Sequence, residues 1–231
     1  MKVNIAYLGP ENSIFQDLAP DGVEIKWVDN NIPIDQQAKQ LEGVLAVIVV
    51  PSAFPVELAK LTPSIQLVQT TSAGTNMIDK ISLGELGIKV ANNGGGNAIA
   101  VAEHTISLLV STYRKFQLQF NSVKEGKWSG NIRSDWFEQA HEIAGKTIGI
   151  VGLGRIGTRI AKRLQGWECD LVYTDIVQAD HGIENQLNLK RLPLNNLLQQ
   201  SDVITLHVPL NTSTHHMIGD TEFNIMKPSA V

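Results

Sequence analysis

At 231 residues the chain has room for one large or two small domains, and 43% hydrophobic with 18% charged residues excludes a disordered composition. A net charge of -4 without a long basic run excludes the electrostatic footprint that a phosphate backbone or an anionic membrane requires. One cysteine, Cys169, excludes an intrachain disulfide and any CxxC site, and the N-terminal apolar run stops at Gly9-Pro10, short of a secretory core; no later stretch nears membrane-spanning length. A cytoplasmic protein is the expectation.

Apolar runs at Val3–Leu8, Val23–Val28, Val44–Val50, Gln66–Thr70 and Ile88–Ala91 read as buried parallel strands. The segments Ile34–Leu41, Pro55–Leu61 and Ile81–Leu86 between them are short enough to be crossover helices in right-handed βαβ units. A breaker cluster, Asn92 to Asn97, then leads into Ala98–Phe120, which has no Pro or Gly and reads as one long helix. Its apolar Val101, Ile106, Leu108, Leu109, Val110 and Phe116 spread around the circumference, predicting burial on several sides. After a turn-rich stretch at 124–130, a second α/β series runs through Lys146–Val151, Arg155–Gln165, Leu171–Thr174, Leu194–Gln200 and Val203–Val208. The segment Met226–Val231 reads as a helix end, a turn and the start of an apolar strand. The expected fold is α/β with two doubly wound parallel-sheet domains, residues 1–96 and 97–231.

Within the second series, Ile148-Gly149-Ile150-Val151 runs into Gly152-Leu153-Gly154-Arg155-Ile156-Gly157, a GxGxxG between a strand and a helix. Gly152 suits a tight turn, Gly154 lets the backbone approach a pyrophosphate, and Gly157 lets the helix pack closely on the strand. The helix start, at Arg155 and Ile156, offers N–H groups and partial positive charge to phosphates. About 20 residues on, Asp175 ends the second strand, where a carboxylate accepts both ribose hydroxyls of NAD and repels a 2′-phosphate. No Arg or Lys follows in Ile176 to Ala179, so NAD is favoured over NADP. The plainer alternative is a helix-packing turn and a solvated strand-end acid.

The run Ile143 to Gly157 resembles the D-isomer-specific 2-hydroxyacid dehydrogenases. Further segments agree: Thr71 to Asp79 resembles the substrate-carboxylate loop, Asn92 to His104 the interdomain hinge and first long helix, and Glu125-Gly126-Lys127-Trp128 a short GxW element. Leu206-His207-Val208-Pro209-Leu210 with Thr212, Thr214, Met217 and Ile218 resembles the segment beside the adenosine and nicotinamide-ribose pocket. Gly94 departs from the family's usual proline, which loosens the hinge. The resemblance implies a flavodoxin-like substrate-binding domain at 1–96 and a Rossmann NAD-binding domain at 97–231. It further implies contacts to NAD from Gly152, Gly154, Arg155, Ile156, Gly157, Asp175, His207, Val208, Pro209 and Thr214. For the substrate carboxylate it implies the backbone N–H groups of Ala73, Gly74 and Thr75, and for the full-length protein a homodimer.

Oxidising a 2-hydroxyacid requires a base for the hydroxyl proton, usually histidine, and a cation for the carboxylate. In this family the arginine, glutamate and histidine that do this, with the last nucleotide-fold strands and a helix returning to the first domain, come after the segment matched by Met226–Val231. Residues 1–231 are therefore expected to act as an inactive fragment holding no catalytic residue. Of the six histidines, His104, His141, His181 and His215-His216 suit a helix surface, polar loops or a polar connection, and His207, at a strand's C-terminal end, is the sharpest substitute base. Pro51-Ser52 is a lesser candidate to face the substrate. No HExxH, Cys/His cluster, EF-hand loop or GxSxG is present, so neither metal nor serine hydrolase chemistry is expected. The expected function is hydride transfer between a small D-2-hydroxyacid or 2-ketoacid and NAD, and the alternative is an NAD-sensing binding protein with a vestigial site.

Overall fold

A computed structural model describes residues 3–11, 14–127 and 139–231, which form two compact units, 1–96 and 97–231. Trp128 of the GxW element and the end of the turn-rich stretch lie outside the described residues.

The first unit runs β1 (Val3–Leu8), α1 (Ile14–Asp17), β2 (Val23–Val28), α2 (Ile34–Gln40), β3 (Ala46–Val49), α3 (Val56–Leu61), β4 (Leu67–Thr70), α4 (Lys80–Glu85) and β5 (Lys89–Ala91). All its strand pairs are parallel, in the order β2-β1-β3-β4-β5. That is the flavodoxin-like order, whose switch point lies between β1 and β3. The sheet buries one face, where Ala6, Leu8, Val47, Val49 and Val68 pack with Leu41, Leu58 and Leu83 supplied from or beside the helices, and the alternate residues of β3 and β4 are half-buried. Asp79 caps α4 by accepting from Ile81 N and Ser82 N, which fixes where the 71–79 loop ends.

The second unit runs α5 (Ala98–Arg114), α6 (Phe116–Lys124), β6 (Thr147–Val151), α7 (Arg155–Arg163), β7 (Asp170–Thr174), α8 (His181–Gln186), β8 (Leu189–Arg191), α9 (Leu194–Gln200), β9 (Val203–Leu206) and α10 (Asp220–Ile225). Its parallel order β8-β7-β6-β9 is that of a Rossmann half, with the reversal between β6 and β9. Ile148 and Ile150 of β6 join Ala102, Leu109, Tyr113, Ile160 and Ala161 in one core layer. Val151 and Val172 face Leu197 and Leu198 of α9 in another.

The long helix differs from its sequence reading in two ways. It breaks at Lys115, which takes a left-handed conformation (φ 54°) while its N–H caps Ser111 O and Thr112 O, and the Gln119 amide bonds the freed Arg114 carbonyl. Burial is also confined to one stripe, Ala98, Ala102, Leu109 and Tyr113, because α5 packs chiefly on α7 and joins the core with β6. Leu108 and Phe116 are exposed, and Val101, Ile106 and Val110 are half-buried.

Helix α10, capped at Met226, is the one whose end was read in Met226–Val231, whereas α1, α8 and β8 were not expected. Their residues carry no apolar run: two of the three residues of β8 are exposed charges, and α8 is held by side-chain bonds instead. Tyr173 donates to Glu184 Oε1 at 2.6 Å, and His181 Nδ1 lies 2.9 Å from Glu184 Oε2. His181 thus opens a helix rather than sitting in a loop.

Candidate functional site

Gly152 leaves β6 at φ +93°, a conformation that favours glycine, and a Cβ there would fall 2.7 Å from the His207 carbonyl oxygen. The turn after β6 and the chain leaving β9 therefore meet at the switch point, where open α/β sheets hold ligands. Gly157 is constrained from within: its Cβ would lie 2.2 Å from Gly152 O and 3.0 Å from Ile150 Cγ2. A Cβ on Gly154, the residue before α7, would meet nothing of the protein within 4 Å, so the protein leaves open space there.

Asp175 closes the turn. Its Oδ2 accepts from Leu153 N at 2.8 Å and its Oδ1 from Val177 N at 3.2 Å, while Gly152 N bonds Thr174 O at 2.9 Å. A carboxylate is thereby fixed next to the start of α7, whose first-turn N–H groups have no carbonyl within the helix to bond. Ile156 packs into the core and Arg155 lies at the exposed start. These features suit a dinucleotide: open space and helix N–H groups for the pyrophosphate, an anchored acid for ribose hydroxyls.

On the β9 side, His207 Nε2 is 2.6 Å from Thr205 Oγ1, and burial pushes the imidazole below its ordinary pKa, leaving it neutral at pH 7. Val208 Cγ1 would stand 3.0 Å from a Cβ on Gly152, so this strand end lines the glycine turn. Pro209 and Thr214 lie in the turn beyond, where the Thr214 hydroxyl bonds Pro209 O and accepts from Asn211 N. Thr214 holds that turn in shape.

In the first unit, Ala73, Gly74 and Thr75 follow β4 in a loop, and the carbonyls of these three residues are all bonded. Asn92 Nδ2 donates to Ala73 O at 2.7 Å, Ser72 Oγ to Gly74 O at 3.0 Å, and Ile78 N to Thr75 O at 3.1 Å. The N–H groups of the same three residues have no acceptor among the described residues. Such a run of open donors is available to water or to an anion. Ser52 reaches the loop from the end of β3, 2.7 Å from Ser72 Oγ.

Of the other histidines, His141 packs edge-on against Tyr113, and His215 and His216 pack on each other. Among the described residues no group of three His, Cys, Asp or Glu is placed to hold a metal ion, and no helix is long and apolar enough to cross a membrane.

Residues 106–231 match the model of the D-isomer specific 2-hydroxyacid dehydrogenase NAD binding domain. The chain belongs to this family. A glyoxylate reductase of Pyrococcus furiosus is 31% identical over the whole chain, which covers 69% of that protein. A D-3-phosphoglycerate dehydrogenase of Archaeoglobus fulgidus is likewise 31% identical over the whole chain, which covers 42% of it. With a Korarchaeum cryptofilum glyoxylate reductase, 30% identical, 89% of this chain matches 62% of the relative, so the chain spans roughly half the length of such proteins. Among solved structures, the NAD-dependent formate dehydrogenase of Staphylococcus aureus in complex with NAD superposes with TM-score 0.81 at 27% identity, over 99% of this chain and 72% of that one. The D-lactate dehydrogenase of Aquifex aeolicus complexed with NAD and lactic acid gives 0.81 at 26%, over 97% and 66%. The family's nucleotide domain covers the stretch in which Gly152, Asp175 and His207 converge.

Sequence reasoning missed three contributors: Asn92, which fixes the Ala73 carbonyl; Lys80, whose Nζ donates to Thr75 Oγ1 at 3.2 Å; and Arg191, which donates to Asp175 O at 2.8 Å. Only strand order and register bring Arg191 there.

Proposed function

We propose that the protein is an NAD-dependent oxidoreductase acting between a small D-2-hydroxyacid or 2-ketoacid and NAD, in the cytoplasm. The observation that carries this is the Asp175 carboxylate pinned by Leu153 N–H beside a glycine turn with open space at Gly154. When bound, NAD supplies the hydride acceptor. Gly152, Gly154, Arg155, Ile156 and Gly157 present backbone to its pyrophosphate, Asp175 accepts its ribose hydroxyls, and His207, Val208, Pro209 and Thr214 line the side formed by β9. The open N–H groups of Ala73, Gly74 and Thr75 hold one substrate carboxylate oxygen.

His207 is assigned to the cofactor side. Burial lowers the basicity of His207 and its Nε2 is tied to Thr205, which makes it a weak candidate for taking the hydroxyl proton, and the resemblance places that base, with its arginine and glutamate, in residues that longer relatives carry. Residues 1–231 assayed alone are therefore expected to bind NAD without measurable turnover. The full-length product should oxidise NADH with at least one of a panel of 2-ketoacids; no turnover on any would refute the assignment. Comparable rates from residues 1–231 alone would return the proton transfer to His207.

Exposed Ile99, Leu108, Phe116, Leu118, Phe120 and Val123 along α5 and α6 support a homodimer, since that much apolar surface on one helix pair is costly in water. Light scattering of the full-length protein should give twice the chain mass at micromolar concentration; a monomer would exclude it.

A further inference from the structure

We infer that Arg191 is a cofactor-discriminating residue, a cation placed to take a phosphate on the 2′-hydroxyl of the adenosine ribose. The inference rests on reading the Gly152–Gly157 turn and Asp175 as a dinucleotide site. Strand order β8-β7-β6-β9 sets three groups in a row along one edge of the sheet: the glycine turn from β6, Asp175 from β7 and Arg191 from β8. With the pyrophosphate at the start of α7 and the ribose at Asp175, a substituent on the 2′-hydroxyl projects past Asp175, away from β6. Arg191 occupies that side. It pairs in register with Tyr173, and its Nη2 reaches forward to the Asp175 carbonyl at 2.8 Å.

That single bond to a neutral acceptor leaves most of the guanidinium's donors open. Arg191 is exposed and has no ion pair among the described residues. The nearby carboxylates are engaged elsewhere: Asp175 by Leu153 N and Val177 N, Glu184 by Tyr173, His181 and Gln178. A planar fork of N–H donors with uncompensated charge is the group that best holds phosphate. Asp175 and Arg191 thus oppose each other, the acid favouring a free ribose diol and the guanidinium a phosphorylated one. The chain prefers NAD by the margin of one carboxylate, and removing that carboxylate exposes an anion site already built.

The test is calorimetric titration of NAD and NADP into the unaltered protein, Asp175→Asn, Arg191→Ala and the double variant, with Asp175→Ala as a second background. Asp175→Asn keeps an acceptor for Leu153 N–H, and NAD binding by each variant reports that the site is folded. Asp175→Asn should raise NADP affinity relative to NAD. Adding Arg191→Ala should then weaken NADP by roughly tenfold or more, the loss of a charge-assisted bond, while NAD changes by less than about twofold. Arg191→Lys should fall between, keeping the charge but not the fork. Equal NADP affinity with and without Arg191, or equal weakening of both dinucleotides, would overturn the inference while leaving the NAD site standing. No uptake of NAD by the unaltered protein would overturn both.

Discussion

Gly157→Val is expected to unfold the nucleotide unit under conditions where the unaltered protein is stable. A Cβ at 157 would lie 2.2 Å from the carbonyl oxygen of Gly152, a main-chain atom held by the bond from Gly152 N to Thr174 O. Neither side can yield without separating α7 from β6, and the two extra methyls of valine enlarge the clash with Ile150. Overpacking in a closed core costs about 1–3 kcal/mol where side chains can adjust. With backbone as the obstacle we expect at least the upper end, a large part of the roughly 5–15 kcal/mol that holds a domain folded. The denaturant midpoint of the second unit should fall sharply, with Gly157→Ala intermediate. An unchanged midpoint for Gly157→Val would show that α7 does not pack on β6 as described.

The second large effect is expected at Asp202, at the end of the sheet opposite the glycine turn. Its Oδ2 accepts from Thr147 N at 2.9 Å, its Oδ1 from Lys227 Nζ at 2.9 Å, and its carbonyl from Tyr113 Oη at 3.3 Å and Val231 N at 3.1 Å. One residue thus ties β9 to β6, to α5 and to the segment after α10. Burial pushes the Asp202 carboxyl up. The Lys227 hydrogen bond, Thr147 N–H, and the charges of Lys227 and Lys146 together outweigh burial and hold it below the usual carboxylate range. Because the folded value lies below the unfolded one of about 3.9, the stability it contributes is present above that pH and lost as pH falls through the folded value. Asp202→Ala should cost about 1.5–3 kcal/mol at neutral pH, the range for hydrogen bonds to a charged group. Asp202→Asn should cost less, since the amide oxygen still accepts from Thr147. In both, the deficit should shrink as pH drops below about 3.9. A deficit that stays constant from neutral to strongly acidic pH would contradict the ionised pairing.

Apolar runs placed every strand but β8, and β6, buried at four of its five residues as a parallel strand covered on two faces should be, is the plainest case. The glycine turn and Asp175 were legible for a related reason: their spacing is dictated by one strand, one tight turn and one helix. What could not be read depends on partners far along the chain. Arg191 reaches Asp175 across 16 residues and Asn92 reaches Ala73 across 19, through register rather than local pattern. The break at Lys115 follows from cap bonds that Gln119 and the Ser111 and Thr112 carbonyls make, in a stretch with no Gly or Pro to announce it. Elements α8 and β8 were missed because polar bonds from Tyr173 and Glu184, not an apolar face, hold that region. Circumferential burial of α5 failed differently. The apolar residues are present as read, and in the single chain one stripe of them meets a partner.

NAD binding at the turn between β6 and α7 is tested most directly by a calorimetric titration of NAD into the unaltered protein and Gly154→Val. A Cβ at 154 meets no protein atom, so the variant should keep the denaturant midpoint of the unaltered protein. Saturable binding of one NAD per chain, competed by ADP-ribose and lost in Gly154→Val, is the expected result. Binding undiminished in a folded Gly154→Val protein, or none in the unaltered one, would contradict the placement of the cofactor.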